Sequence, residues 1–137
     1  MKNYIVDASF VIKALLSEKP SVVEKFEKIL REQEKMKAKV YSYSLLPIEV
    51  ANALRFTFKD EGSVKETFEK FSLLDIECLT LNFSQIKSAL QWSYEMGTTV
   101  YDTAYHLLAK MREGDFYTCD REYFQKAKKE GNIVLVK

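Results

Sequence analysis

The chain has one histidine, His106, and two cysteines, Cys78 and Cys119, among 137 residues. A structural zinc site takes four cysteines, or two cysteines with two histidines, so a single chain of this composition does not build one. Acid–base chemistry that pairs one histidine as base with a second as acid is excluded for the same reason. The four glycines, Gly62, Gly97, Gly114 and Gly131, stand far apart, which rules out both a G-x-G-x-x-G fingerprint and a P-loop. Two cysteines in a domain of this size read as buried thiols rather than a disulfide. No apolar run approaches the ~20 residues of a membrane span, and Met1-Lys2-Asn3 leads directly into a strand pattern instead of a signal peptide. A soluble, cytoplasmic protein is therefore expected. Charge of one sign is missing too: 21 basic and 20 acidic residues leave a net +1, with no bulk attraction to nucleic acid or membrane. The tools left for chemistry are carboxylates and a hard cation.

What is present is ordinary globular usage, 47% hydrophobic and 30% charged, enough for one domain over residues 1–137. Tyr4-Ile5-Val6 is β-prone, and residues 10–16 then read as a helix. Pro20 opens a second helix, with Ser21 and Glu24 at capping-box spacing. A strand is expected at 39–42, followed by a helix capped by Ser44 that carries Pro47 in its first turn and runs to about Phe58. Asp60-Glu61-Gly62 reads as a turn, with Ser63 and Glu66 capping the helix that follows. A strand at 76–80 precedes a helix begun by Asn82 and ended by Gly97. Thr99 starts another helix, reaching Arg112. Strand 116–118, helix 121–129 and strand 133–136 complete the chain. Strands alternating with helices predict an α/β domain with a mainly parallel sheet covered on both faces.

Four acidic residues stand apart from the charged helix surfaces: Asp7, Glu49, Asp102 and Asp120. Asp7 directly follows the first strand and Asp120 follows strand 116–118 by one residue, so both belong at the carboxyl ends of strands, where α/β sheets bind ligands. Glu49 lies in a helix that is apolar almost all round, on a narrow stripe with Asn52 and Arg55. Asp102 begins a helix rich in Tyr101, Ala104, Tyr105, Leu107 and Leu108. Asp7 and Asp120 are equally explained as helix caps, and Asp102 as the acidic half of a capping box with Thr99. A buried Glu49 needs a partner, and Arg55 offers one. Caps in a parallel sheet gather at one edge, however, so capping does not disperse these carboxylates. Four in one crevice repel, and take up protons or bind a cation; ligation by oxygen alone favours Mg²⁺ or Mn²⁺.

The segments Y-I-V-D-A-S at 4–9, P-I-E-V-A-N-A-L-R at 47–55, Y-D-T-A-Y-H-L-L-A at 101–109 and Y-T-C-D at 117–120, with a closing G-N-I-V-L-V, together resemble a PIN-domain ribonuclease. The likeness is specifically to the VapC toxin of VapBC toxin–antitoxin pairs, and it spans nearly the whole chain in the family's order. It implies a PIN-like three-layer α/β/α sandwich and a homodimer. It also implies that Asp7, Glu49, Asp102 and Asp120 form an acidic site for one or two Mg²⁺ or Mn²⁺ ions. Ser9 and Thr118 match small hydroxyl positions that help arrange that site, and Asn52 and Arg55 match polar positions beside the glutamate. Cys119 departs from the usual small residue before the last acid. His106 replaces a position that is commonly apolar, and it reads as a packing or surface histidine rather than a ligand.

The activity so implied is metal-dependent endoribonuclease cleavage of RNA, leaving 5′-phosphate and 3′-hydroxyl ends. Metal-assisted hydrolysis is chemistry that an all-carboxylate site performs without histidine. Asp7, Asp102 and Asp120 would be the main ligands; Glu49 either completes the site or orients the attacking water. Arg55, Lys13, Arg121 and Lys126 are the candidates for RNA phosphate contacts. A small antitoxin that blocks the crevice is the implied partner. Two alternatives stay open: an RNA-processing nuclease of the same family without an antitoxin, and a non-catalytic, metal-binding, receiver-like signalling module. A dehalogenase-type phosphatase fits poorly, since Ser9 stands where it needs a second aspartate.

Overall fold

Apolar residues alternate in direction along the first strand, with Tyr4 and Val6 facing one way and Ile5 the other, and all three are buried. A strand hydrophobic on both faces has to be covered on both, and in the computed structural model, which describes residues 1–137, it is. The strands are β1 (Lys2–Val6), β2 (Ala38–Tyr43), β3 (Glu77–Leu79), β4 (Asp115–Thr118) and β5 (Ile133–Leu135). All four pairings are parallel, and the order across the sheet is β3-β2-β1-β4-β5.

Helices α1 (Ala8–Leu15), α2 (Pro20–Glu34), α3 (Leu46–Thr57) and α4 (Glu61–Ser72) bury Phe10, Phe26, Ile29, Val50, Leu54 and Phe71 against the face carrying Tyr4, Val6, Val40 and Tyr117. Helices α5 (Phe83–Met96), α6 (Val100–Met111) and α7 (Arg121–Ala127) cover the opposite face, where Met96, Tyr105, Leu108, Ala109 and Tyr123 pack on Ile5 and Phe116. A short 3-10 turn, Lys128–Glu130, follows α7. The three-layer sandwich expected from the resemblance is the architecture observed. No helix is long and apolar enough to cross a membrane.

The chain winds outward from β1 to β2 and β3, then returns past β1 to lay down β4 and β5. The direction of winding therefore reverses between β1 and β4, and at such a switch point a crevice opens beyond the carboxyl ends of the two strands. The entry to β4 is tight. A Cβ on Gly114 would stand 2.3 Å from the backbone oxygen of Asn3, so only glycine fits there.

Three local expectations are corrected. Pro20 occupies the first position of α2, so Lys19 is its N-cap; Ser21 caps nothing and donates instead to the carbonyl of Lys137 at 2.6 Å. Helix α3 begins at Leu46 without a side-chain cap, leaving Ser44 outside it. Asp60 caps α4 by accepting the Ser63 N–H at 2.9 Å, so Glu61 and Gly62 belong to the helix rather than to a turn. Asn82 forms the full capping box with Gln85, and Gly97 ends α5 in the left-handed region at φ 69°. Both cysteines are free thiols.

Candidate active site

Asp7 occupies the first residue after β1 and caps α1: its Oδ1 accepts the Phe10 N–H at 3.0 Å and the Ser9 hydroxyl at 2.7 Å. Its Oδ2 accepts the Thr118 hydroxyl at 2.5 Å. Three donors would ordinarily hold a carboxylate in its charged form. Burial outweighs them, and with the charge of Asp102 it pushes the Asp7 pKa up to about 6. Ser9 and Thr118, 3.2 Å apart, thus both hold the Asp7 carboxyl. Ser9 also accepts the Cys119 N–H at 3.0 Å, and Thr118 the Asp120 N–H at 3.0 Å.

Asp120 caps α7 through its Oδ1, which accepts the Tyr123 N–H at 3.0 Å. Capping therefore does not remove Asp7 and Asp120 from the crevice: each caps its helix while standing at the carboxyl end of a strand. Asp102 stands in the first turn of α6, whose cap is the Thr99 hydroxyl accepting the Asp102 N–H at 3.2 Å. Its carboxyl is pushed up, first by burial and then by the charge of Asp120. Glu49, in the first turn of α3, is half-buried, and burial followed by the Asp102 charge raises its pKa. Its hydrogen-bond partner is the Tyr105 hydroxyl at 3.4 Å, not Arg55, which lies over the Phe56 ring.

Asp102 is thus the electrostatic hub, felt by both Asp7 and Glu49 and itself pushed by Asp120. The five ion pairs of the protein include none of these four acids, so no lysine or arginine neutralises them. They share the strand-end crevice without converging: no three acidic, histidine or cysteine side chains stand close enough to hold one ion as they are. The donor set, all oxygen and short of positive charge, fits a hard divalent cation that would draw the carboxylates inward. A polar cleft of about 310 Å³ opens on Asp102 and Asp120, walled by Thr98, Thr99, Tyr123 and Lys126.

The basic candidates separate. Lys126 lines this cleft, donating to the Gly97 carbonyl at 3.0 Å and pairing with Glu122 at 3.4 Å. Arg121 is exposed beside Asp120, and the charge of half-buried Lys13 reaches Cys119. Arg55 belongs to another hollow, at the α3–α4 turn with Lys59, Asp60 and Glu61. Asn52 is exposed and its side chain makes no hydrogen bond. Cys119 is half-buried, with its thiol pushed up to about 11 by burial and the Asp7 charge, which leaves it a poor nucleophile. His106 is a core residue. Sequence reasoning passed over Tyr105, Glu122 and Tyr123. The two tyrosines each follow a singled-out aspartate by three residues, a spacing that sets side chains on one helix face.

A sheet whose winding reverses beside carboxylates that no lysine or arginine pairs defines a parallel α/β domain with an acidic strand-end crevice. No protein-family model and no curated protein matches the sequence. Solved structures match it over nearly its full length. PAE2754 from Pyrobaculum aerophilum is 24% identical at a TM-score of 0.66, covering 98% of this chain and 91% of that one. VapBC2 from Rickettsia felis, solved with a promoter DNA fragment, is 12% identical at 0.68 over 97% and 96% of the two chains. VapBC-1 from nontypeable Haemophilus influenzae is 13% identical at 0.64, covering 97% of each. At these identities the likeness is one of fold, and that fold is the PIN-like sandwich.

Proposed function

We propose that this protein is a Mg²⁺- or Mn²⁺-dependent endoribonuclease, and the toxin of a toxin–antitoxin pair. The observation that carries the reading is Asp7. It is a buried carboxylate at the switch point, held by three hydroxyl and amide donors, with Asp102 near and no basic partner. Such a site is stabilised by added positive charge. Asp7, Asp102 and Asp120 are the residues to hold one or two ions, with Glu49 at the margin. When bound, a divalent cation supplies the charge that acidifies an attacking water and stabilises the phosphate as it gains negative charge. Glu49, with its raised pKa and the Tyr105 hydroxyl fixing one oxygen, is placed to orient that water and take its proton. Asp7 is kept in place by Ser9 and Thr118 and does not need to move a proton.

Lys126, Arg121 and Lys13 are the side chains available to RNA phosphates around the crevice, and they would add a salt-dependent component to binding. With the four acids drawn inward on a cation, the remaining exterior is modestly basic. The antitoxin is supported by the fold shared with the two VapBC structures, and the homodimer comes from the sequence resemblance alone. The test is cleavage of structured RNAs with Mg²⁺ or Mn²⁺, with EDTA, and by Asp7→Asn. Metal-dependent nicking lost in both controls supports the reading; cleavage that survives EDTA overturns it. Co-expression with the product of the adjacent reading frame, followed by light-scattering mass measurement, tests the partner and the dimer.

A further inference from the structure

His106 projects from α6 one turn beyond Asp102 and is completely buried. Both of its ring nitrogens are engaged. Nε2 lies 2.7 Å from the carbonyl oxygen of Gly131, which can only accept, so Nε2 carries the proton. Nδ1 therefore accepts from the Tyr123 hydroxyl, 2.8 Å away. The ring is neutral in this arrangement, and it stands edge-on to Trp92 and to Tyr123 at 5.3 and 5.7 Å between centroids.

The two groups it grips bracket α7. Tyr123 is in the first turn of that helix, and its own N–H is the one that Asp120 caps. Gly131, at φ 74°, turns the chain after α7 toward β5, and beyond β5 the Val136 N–H donates to the Thr118 carbonyl at 2.8 Å. Helix α7 has only seven residues, too few to hold its place unaided. An apolar side chain at 106 would fill the space, yet it would take the acceptor from the Tyr123 hydroxyl and the donor from the Gly131 carbonyl.

We propose that His106 is a positioning residue: by clamping Tyr123 and Gly131 onto α6 it fixes Asp120 relative to Asp102 across their shared cleft. It acts through Tyr123 and touches neither the acids nor a substrate. The clamp rests on geometry alone, while its effect on metal affinity rests on the function proposed above.

The test uses His106→Phe, Tyr123→Phe, the double variant and His106→Gln, at a low temperature where circular dichroism shows each folded. Amide hydrogen exchange is followed at Tyr123, with Val50 and Leu54 of α3 as references, and Mn²⁺ affinity is measured by titration. His106→Phe is expected to speed exchange at Tyr123 about tenfold over the α3 amides and to weaken Mn²⁺ binding about tenfold, the scale of losing a group that orients a ligand. His106→Gln, which can donate and accept, should recover most of both. The double variant removes the stranded hydroxyl, so it should regain stability without regaining Mn²⁺ affinity. Wild-type exchange of the position-123 amide in Tyr123→Phe and the double variant would overturn the proposal, and Tyr123→Phe keeps it testable if His106→Phe does not fold. If the wild type binds no Mn²⁺ while Tyr123 exchange follows the expected order, the clamp stands and the metal reading falls.

Discussion

Thr118 donates its hydroxyl hydrogen to Asp7 Oδ2 at 2.5 Å, and its own Oγ1 accepts the N–H of Asp120 at 3.0 Å. One hydroxyl therefore ties the first carboxylate of the crevice to the segment bearing the last. Thr118→Val keeps the shape and removes both bonds. The expected result is a loss of about 1–3 kcal/mol in urea unfolding, the cost of stranding buried partners. The Asp7 pKa should also rise, because the lost bond lowers it. Metal-dependent RNA cleavage should fall by about tenfold or more, and Thr118→Ser should restore most of it.

Asp7 sets a pH dependence whose sign is unusual for an acid. Its folded pKa, about 6, lies above the ordinary 3.8, so the folded protein retains a proton that the unfolded chain has released. That contribution is fully present below the ordinary value and is lost as pH rises through about 6. Without divalent ions, stability should decline by up to about 3 kcal/mol from this group between acid and neutral pH. Asp7→Asn should lack this part of the decline, keeping only what the raised Glu49 and Asp102 contribute, and be the more stable protein at neutral pH while inactive on RNA. Urea unfolding in EDTA at a series of pH values checks both.

His106 works in the opposite direction. Burial lowers its pKa from 6.5, so its contribution is present above that value and is lost as pH falls below it. Relative to the wild type, Asp7→Asn protein should therefore show a weaker neutral-pH decline, and His106→Gln protein a weaker acid destabilisation. Unfolding curves on the two single variants separate the slopes, which partly cancel in the wild type.

Tyr105 hydrogen-bonds Glu49 and lowers its pKa against burial. Tyr105→Phe should raise the Glu49 pKa and move the acid limb of the pH–rate profile to higher pH. At the alkaline plateau the loss of rate should be only a few-fold. An unmoved acid limb would remove Glu49 from proton transfer.

Gly114→Ala places a methyl group against the Asn3 backbone oxygen, which cannot yield as a side-chain end can. A loss of about 3 kcal/mol or more is expected in thermal or urea unfolding, with no change in the pH dependence described above.

The carboxylates were legible because strand ends are. Asp7 and Asp120 each follow a β-prone run, and Glu49 interrupts an apolar helix. The sheet was legible from strands that alternate with helices, an order that leaves each strand, such as the one carrying Ile5 and Val6, covered on both faces. Cap positions were less so. Ser21, Ser44 and Ser63 all carry the right chemistry, but Pro20 at the first helical position displaces one, a side-chain-free start at Leu46 another, and the earlier Asp60 the third. Tyr105 against Glu49 and Tyr123 against His106 join residues 56 and 17 positions apart. Such contacts exist only once layers are stacked, and no local pattern announces them. The spread of the four acids is likewise a property of the packed crevice.

The bond from Thr118 back to Asp7 closes over 111 positions of chain, and β4, which carries Thr118, is held between β1 and the late strand β5. A ribosome that has released the first two-thirds of this sequence has made Asp7 and Glu49 but neither of their later companions. The acidic crevice thus comes into being only once Thr118 and Asp120 have been made, after a delay in which the growing chain carries no assembled crevice.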